Sequence, residues 1–149
     1  MEALLTAIVL WLSSNFDIPA SFQHPQVEFA SAEEIAALRY QGFTGGQIKD
    51  ISTPGQPGAT EIISIYNATQ RTIYLPPDWK GGTPAELSVL VHEMVHHLQN
   101  AGQLKFECPQ QREELAYRAQ EKWLAMFGRS LMLDFELDPF SVLMKSKCM

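Results

Sequence analysis

The sequence predicts an α+β fold: one compact domain over residues 1–149, with an N-terminal helix and two central helices packed beside a small β-hairpin or sheet. Residues 83–102 and 109–127 carry apolar side chains at helical spacing. Residues 61–66 and 71–75 are short runs rich in isoleucine and tyrosine, and they flank a polar turn as the strands of a hairpin do. A chain of 149 residues is long enough to bury one sizeable core.

Composition and charge exclude several classes of protein. A hydrophobic content of 46% and a charged content of 19% are ordinary for a globular chain, without the bias of disordered or repetitive sequences. The net charge is −6, and no stripe of lysine or arginine is available to neutralise phosphates. We therefore expect no nucleic-acid partner.

The first twelve residues are strongly apolar, so a signal peptide or a membrane-touching segment has to be considered. The chain begins Met-Glu, has no basic region before the apolar run and shows no clear small-x-small cleavage site. The run is also too short to span a bilayer as a helix. A buried first helix that ends near Ser13-Ser14-Asn15 is the preferred interpretation, over membrane contact or processing.

The segment between the first helix and the hairpin alternates short elements. Residues 26–29 favour a strand, and Ser31 is placed to cap a helix that runs through Arg39. Residues 41–60 are rich in glycine and proline, which predicts a long loop able to cover a cleft. One inward face of the hairpin is predicted from four apolar residues, Ile63, Ile65, Ile73 and Leu75. A free edge of this hairpin could hold an extended peptide, and an ordinary packed hairpin is an equal alternative.

The helix over residues 83–102 has both of its ends marked. Thr83 as N-cap, Pro84 at the first helical position and Glu86 three residues after the cap form a capping box, and Gly102 is a typical stop. Its apolar residues fill a broad sector of the helical wheel, which predicts a buried helix: Leu87, Leu90, Val91, Met94, Val95 and Leu98.

His92, Glu93 and His96 lie in the opposite sector of that helix. Residues four apart share one helix face, so both imidazoles can bind the same ion at about 2.0–2.1 Å. Glu93 projects further round, where it can reach a water on that ion without being a ligand. The alternative is a pair of surface histidines with a solvated glutamate. His97 falls outside this sector, and we expect it to be solvated or to contact a ligand residue from behind.

A zinc site that performs chemistry usually has three protein ligands and one open position, so a third ligand must come from elsewhere. The predicted helix over residues 109–127 contains two adjacent acids. Glu113 shares its face with apolar residues and with Gln120, whereas Glu114 lies in a charged stripe. A carboxylate in an apolar sector needs compensation, which a metal ion supplies. We predict Glu113 as the third ligand; its alternative role is an interaction with the positive N-terminus of its own helix.

With these residues in place, the chain resembles the gluzincin clan of zinc metallopeptidases. The resemblance covers roughly residues 61–127 and rests on the HExxH pattern at 92–96 followed by Glu113-x-x-Ala116-Tyr117 on a second helix. It implies a minimal zincin-like domain with Zn²⁺ bound by His92, His96 and Glu113. It also implies Glu93 as general base and a peptide or protein as substrate.

The resemblance has one departure and leaves one role open. Many gluzincins carry an acid or an amide four residues after the glutamate ligand, whereas this chain has Tyr117, which can donate a hydrogen bond but is no permanent anion. The residue that would stabilise the oxyanion is open among Tyr66, Tyr74, Tyr117 and His97. A catalytically inactive, metal-stabilised binding or regulatory module on the same scaffold is the second functional hypothesis.

Cys108 and Cys148 can form a disulfide or remain free thiols. A disulfide would indicate an oxidising, extracytoplasmic compartment, and free thiols would fit a reducing cytoplasm. After Gly128 the sequence predicts a turn and then a short helix with Asp138 as cap and Pro139 at its first position. The apolar residues of this last helix are expected to pack on the core: Phe140, Val142, Leu143 and Met144.

Overall fold

The computed structural model describes residues 1–42 and 64–148 and has the α+β architecture that the sequence predicts. Most of the predicted loop, and the part of the first hairpin strand that contains Ile63, lie outside the described residues. Within them the helices and strands are α1 (Glu2–Asn15), β1 (Gln26–Phe29), α2 (Ala32–Gly42), β2 (Ile65–Asn67), β3 (Thr72–Leu75), α3 (Pro84–Ala101), α4 (Arg112–Ala125), α5 (Leu131–Phe135) and α6 (Pro139–Ser146). A short 3-10 helix (Pro109–Gln111) directly precedes α4.

Within the described residues the sheet has three strands in the order β1-β3-β2. β2 and β3 form the predicted antiparallel hairpin, whereas β1 pairs in parallel with β3, a pairing that the sequence did not reveal. The register corrects one prediction. Ile65 lies opposite Tyr74 and therefore on the other sheet face from Ile73 and Leu75. Ile65 packs instead with Ala30 and with Ile35, which lies on α2.

The main core lies on the other face of this sheet, between β3, α1 and α3. The predicted N-terminal helix is present, and it buries Leu5, Ile8, Val9 and Leu12 there. Each fully buried aliphatic side chain contributes about 1.5–3 kcal/mol, so this contact fixes the position of α3. No helix within the described ranges is both long and apolar enough to cross a membrane.

Helix α3 begins and ends where the sequence predicts. The hydroxyl of Thr83 accepts a hydrogen bond from the backbone N–H of Glu86 at 3.1 Å, and Gly102 is the C-cap. The Glu86 carboxylate also accepts from the backbone N–H of Lys80 at 2.8 Å. Gly81 between them has φ +69, a left-handed conformation that favours glycine. The entry to the helix is thus held by several hydrogen bonds, which fixes the direction of its polar face.

Helix α4 packs along α3, and Ala116 and Ala119, both completely buried, allow the two backbones to approach closely. The predicted helix over 109–127 is divided in the structure: residues 109–111 form the 3-10 turn, and α4 ends at Ala125. Phe127, predicted on the buried face of this helix, lies beyond its end and is exposed. The face that remains in the interface carries Glu113 and Gln120 towards α3.

The C-terminal residues are tied to the start of α4 by a disulfide between Cys108 and Cys148. Asp138 caps α6 as predicted, by accepting from the backbone N–H of Ser141 at 2.7 Å. The expected packing of the α6 apolar residues on the core is wrong for three of them, which are exposed: Phe140, Leu143 and Met144.

We expect the double substitution Cys108→Ser/Cys148→Ser to lower the free energy of unfolding by about 2–4 kcal/mol, because a crosslink across 40 residues removes entropy from the unfolded chain. Urea denaturation measures the difference. A reductant should bring the wild type to the same midpoint as the variant and leave the variant unchanged. Equal midpoints for oxidised wild type and variant would contradict a stabilising crosslink.

Candidate metal centre

Three predicted ligand side chains meet at the interface of α3 and α4. The Nε2 atom of His92 lies 2.9 Å from Oε2 of Glu113, and the Nε2 atom of His96 lies 3.1 Å from Oε1. The two imidazole rings are 5.1 Å apart between centroids. One carboxylate therefore faces both histidines, with one oxygen towards each. Glu114, the neighbouring acid, is exposed to solvent, as its charged stripe predicted.

The geometry of this cluster fits a metal ion. Each residue offers one ligand atom, and these atoms lie within 4.8 Å of one another. Two ligands bound at about 2.0–2.1 Å to a tetrahedral ion lie about 3.3 Å apart, so small side-chain movements would complete the site. The exposed fractions of 12% and 13% for the two histidines and 31% for Glu113 leave one side open to water. The cluster can hold a metal ion with three ligands and an open position.

The electrostatics of the three groups are coupled. Burial lowers the pKa of His96, but the charge and hydrogen bond of Glu113 outweigh it and raise the pKa to about 9. Burial raises the pKa of Glu113, but His96 and His92 together hold it well below its ordinary value. Without metal, a proton on His96 therefore compensates the partly buried carboxylate of Glu113, in the place where a cation would do so.

Glu93 is buried, with 5% of its surface exposed, and it is not part of the three-residue cluster. Its Oε1 atom accepts a hydrogen bond at 3.1 Å from the hydroxyl of Ser64, the residue directly before β2. The negative charge of Glu93 also contributes to the raised pKa of His96, which places this carboxylate within electrostatic range of the cluster. The buried carboxylate of Glu93 thus lies near the three candidate metal ligands and is oriented by Ser64.

Two glutamines that the sequence analysis did not assign contact the histidines from behind. Oε1 of Gln120 lies 2.9 Å from Nδ1 of His92, and Oε1 of Gln99 lies 3.0 Å from Nδ1 of His96. Both glutamines are at least 95% buried. One of the two could have been identified from the sequence. Gln120 is a polar residue on the same face of its helix as Glu113, and a buried amide needs hydrogen-bonding partners.

The expectation that His97 is solvated or contacts a ligand residue is not met. His97 is 1% exposed and is held by the hydroxyl of Tyr66 at 2.9 Å and by the backbone carbonyl of Gln23 at 2.8 Å. Burial lowers the pKa of His97. The residue joins β2 and the N-terminal region to the side of α3 away from the metal cluster, and its role is structural.

Three candidates for oxyanion stabilisation have other partners. Tyr66 and His97 are hydrogen-bonded to each other, and the hydroxyl of Tyr74 donates a hydrogen bond to the side chain of Gln70 at 2.8 Å. Tyr117 lies closest to the cluster: its ring packs against His92 with 4.8 Å between centroids at a steep angle. In many of the gluzincins that the chain resembles, the residue at the position of Tyr117 orients a zinc-bound histidine. Here the Tyr117 ring packs against the ring of His92, and Gln120 is the hydrogen-bond partner of His92 Nδ1.

We expect His92→Ala, His96→Ala and Glu113→Ala each to lose most of the bound metal, because each removes one of three donors. Glu114→Ala is the matched control, since it removes an exposed carboxylate next to Glu113. Zinc content after dialysis and competition with a coloured chelator measure the effect. Equal losses for the two glutamate variants would contradict the assignment of Glu113.

The raised pKa of His96 predicts opposite pH trends for the metal-free and metal-bound protein. The protonated ring stabilises the metal-free fold fully below its unfolded pKa of 6.5, and this contribution, on the order of 3 kcal/mol, is lost as the pH rises to about 9. Metal binding needs the unprotonated nitrogen, so affinity should rise over the same interval. Thermal unfolding with a chelator and with zinc measures both trends, and Glu113→Gln should flatten the metal-free one. A pH-independent difference between the two conditions would refute the coupling.

A model of the family described as "Domain of unknown function (DUF6647)" matches residues 1–149. No curated protein and no solved structure matches the chain. The family description names no activity. Matched over residues 1–149, the chain belongs to the DUF6647 family.

Proposed function

We propose that this protein is a zinc-dependent peptidase that hydrolyses peptide bonds with Glu93 as general base. The observation that carries the proposal is the placement of a buried carboxylate, Glu93, beside a cluster of two imidazoles and one carboxylate that can hold a metal ion. A purely structural metal site has no use for such a base.

The donor set favours zinc in a catalytic role. Two histidines and one glutamate with a fourth position open to solvent are a known composition of catalytic zinc sites, whereas structural zinc sites are closed by four protein ligands. A zinc ion bound here would supply a Lewis acid that polarises the scissile carbonyl and lowers the pKa of water towards about 7. Other first-row ions fit the same donors, so elemental analysis of the purified protein is the measurement that identifies the metal.

In this proposal Glu93 accepts the proton of the attacking water and passes it to the leaving amine. Its hydrogen bond from Ser64 engages one carboxylate oxygen, Oε1, and orients the group, which leaves Oε2 for the water. Burial of the carboxylate excludes bulk water and strengthens its interaction with positive charge. His92, His96 and Glu113 would hold the metal ion, and the contacts of His92 with Gln120 and of His96 with Gln99 would orient the two imidazoles.

A strand edge beside the site supports an extended peptide as substrate. β2 is an outer strand of the sheet, and Ser64, the residue directly before it, contacts Glu93. Among the described residues no strand pairs with the outer side of β2. A peptide added there would form main-chain hydrogen bonds and lead its backbone past the general base. This arrangement favours peptide or protein substrates over small molecules.

The disulfide supports a place outside the cytoplasm. Cys108 and Cys148 are paired, and structural disulfides persist in oxidising compartments. We therefore propose that the peptidase works in an extracytoplasmic setting, where released peptides and extended protein segments are available.

We expect Glu93→Gln to lower peptide hydrolysis by at least about 100-fold, because it removes the base, while zinc content and the unfolding midpoint stay close to wild type. A peptide library with zinc-loaded protein measures cleavage. Glu114→Gln is the matched control, since it makes the same chemical change at an exposed position. A Glu93→Gln protein with full activity would remove Glu93 from the mechanism. A wild type that binds zinc but cleaves no peptide would favour the inactive binding module.

A further inference from the structure

Each metal-facing histidine is the end of a short chain of hydrogen bonds whose direction is fixed. Behind His92, the amide oxygen of Gln120 faces Nδ1, and the amide nitrogen of Gln120 donates to the hydroxyl of Ser88 at 3.2 Å. That hydroxyl has its own proton engaged with the backbone carbonyl of Ala85 at 2.7 Å. It can therefore only accept from Gln120, which requires the amide nitrogen on that side.

The chain behind His96 ends in the same way. The amide nitrogen of Gln99 donates to the backbone carbonyl of Arg112 at 3.2 Å, and its amide oxygen faces Nδ1 of His96. A backbone carbonyl can only accept a hydrogen bond. The orientation of the Gln99 amide is thus fixed, and its oxygen can only accept from His96.

We infer that Gln99 and Gln120 are positioning residues that hold His96 and His92 in the form with hydrogen on Nδ1, so that both Nε2 atoms are available to one metal ion. Each chain of hydrogen bonds begins at a backbone carbonyl and ends at an imidazole, with every donor and acceptor assigned. Because both glutamines are nearly fully buried, no water competes for these bonds. The inference deepens the proposed function, since it concerns the same metal centre.

The use of amides has a chemical consequence. A carboxylate behind a ligand histidine adds negative charge and raises the basicity of the ring, whereas a neutral amide orients the ring without adding charge. The His92, His96 and Glu113 set then contributes a single formal negative charge, that of Glu113. A divalent ion bound there keeps a net positive charge, which favours the polarisation of a carbonyl.

The two glutamines should respond differently to conversion to glutamate. In Gln120→Glu the new carboxylate meets the hydroxyl of Ser88, which can turn and donate to it, so the acceptor for His92 is kept. In Gln99→Glu one carboxylate oxygen meets the carbonyl of Arg112, and two acceptors at that distance repel each other. Zinc affinity should stay equal or rise in Gln120→Glu and fall by about tenfold or more in Gln99→Glu.

The test combines affinity with a direct view of the histidine rings. Zinc affinity is measured by chelator competition for the two glutamate variants, for Gln99→Leu and Gln120→Leu, and for Gln26→Leu and Gln26→Glu as exposed controls. We expect about 10–100-fold losses in the two buried leucine variants and none in the controls. Equal affinity in Gln99→Glu and Gln120→Glu, or wild-type affinity in the buried leucine variants, would overturn the inference.

Nitrogen-15 NMR of the histidine rings reads the tautomer without relying on activity. In zinc-loaded wild type, His92 and His96 should carry hydrogen on Nδ1. In metal-free Glu113→Ala, at a pH where both rings are neutral, the glutamines alone should maintain that form, and each leucine variant should lose it in the ring that it contacts. Hydrogen on Nε2 in metal-free Glu113→Ala would overturn the inference even if the protein binds no zinc. Absence of zinc binding in wild type would instead overturn the proposed function.

Discussion

The interaction of one partly buried carboxylate, that of Glu113, with two imidazoles organises the interface of α3 and α4. Glu113 is held against α3, where its two oxygens face the imidazoles of His92 and His96 at 2.9 and 3.1 Å. A partly buried carboxylate in that position is stabilised by a nearby positive charge. The metal-free protein supplies this charge with a proton on His96, whose pKa rises to about 9. For the same reason the cluster could hold a metal ion in place of that proton.

Helix α3 can carry this site because its faces have separate partners. Its apolar face packs on α1 and β3, and residues such as Leu90 and Met94 are completely buried there. Several of its polar residues are hydrogen-bonded to other parts of the fold. His92 contacts Glu113 and Gln120 of α4. Glu93 accepts from Ser64, directly before β2, and His97 is hydrogen-bonded to Tyr66 in β2. The helix therefore cannot rotate without breaking several of these bonds.

Helix α4 supplies both the third candidate metal ligand, Glu113, and the residue that orients His92, Gln120. Glu113 and Gln120 lie on one face of α4, and they contact the two nitrogens of the same His92 ring. The disulfide at Cys108 precedes this helix and ties its start to the C-terminal residues. The position of α4 relative to α3 therefore depends on close helix packing through Ala116 and Ala119 and on a covalent crosslink.

The sequence by itself determined the features that depend on local spacing: the α+β class, the capped helix α3, the shared face of His92 and His96, and the position of Glu113, rather than Glu114, on the face of α4 that meets these histidines. These follow from helical periodicity and capping chemistry, which act over a few residues. Only the tertiary structure decided the parallel pairing of β1 with β3, the sheet face of Ile65, the buried role of His97 and the disulfide. It also revealed Gln99 and Gln120 behind the histidines. All of these features depend on contacts between residues that are distant in the chain. No local sequence pattern encodes such contacts.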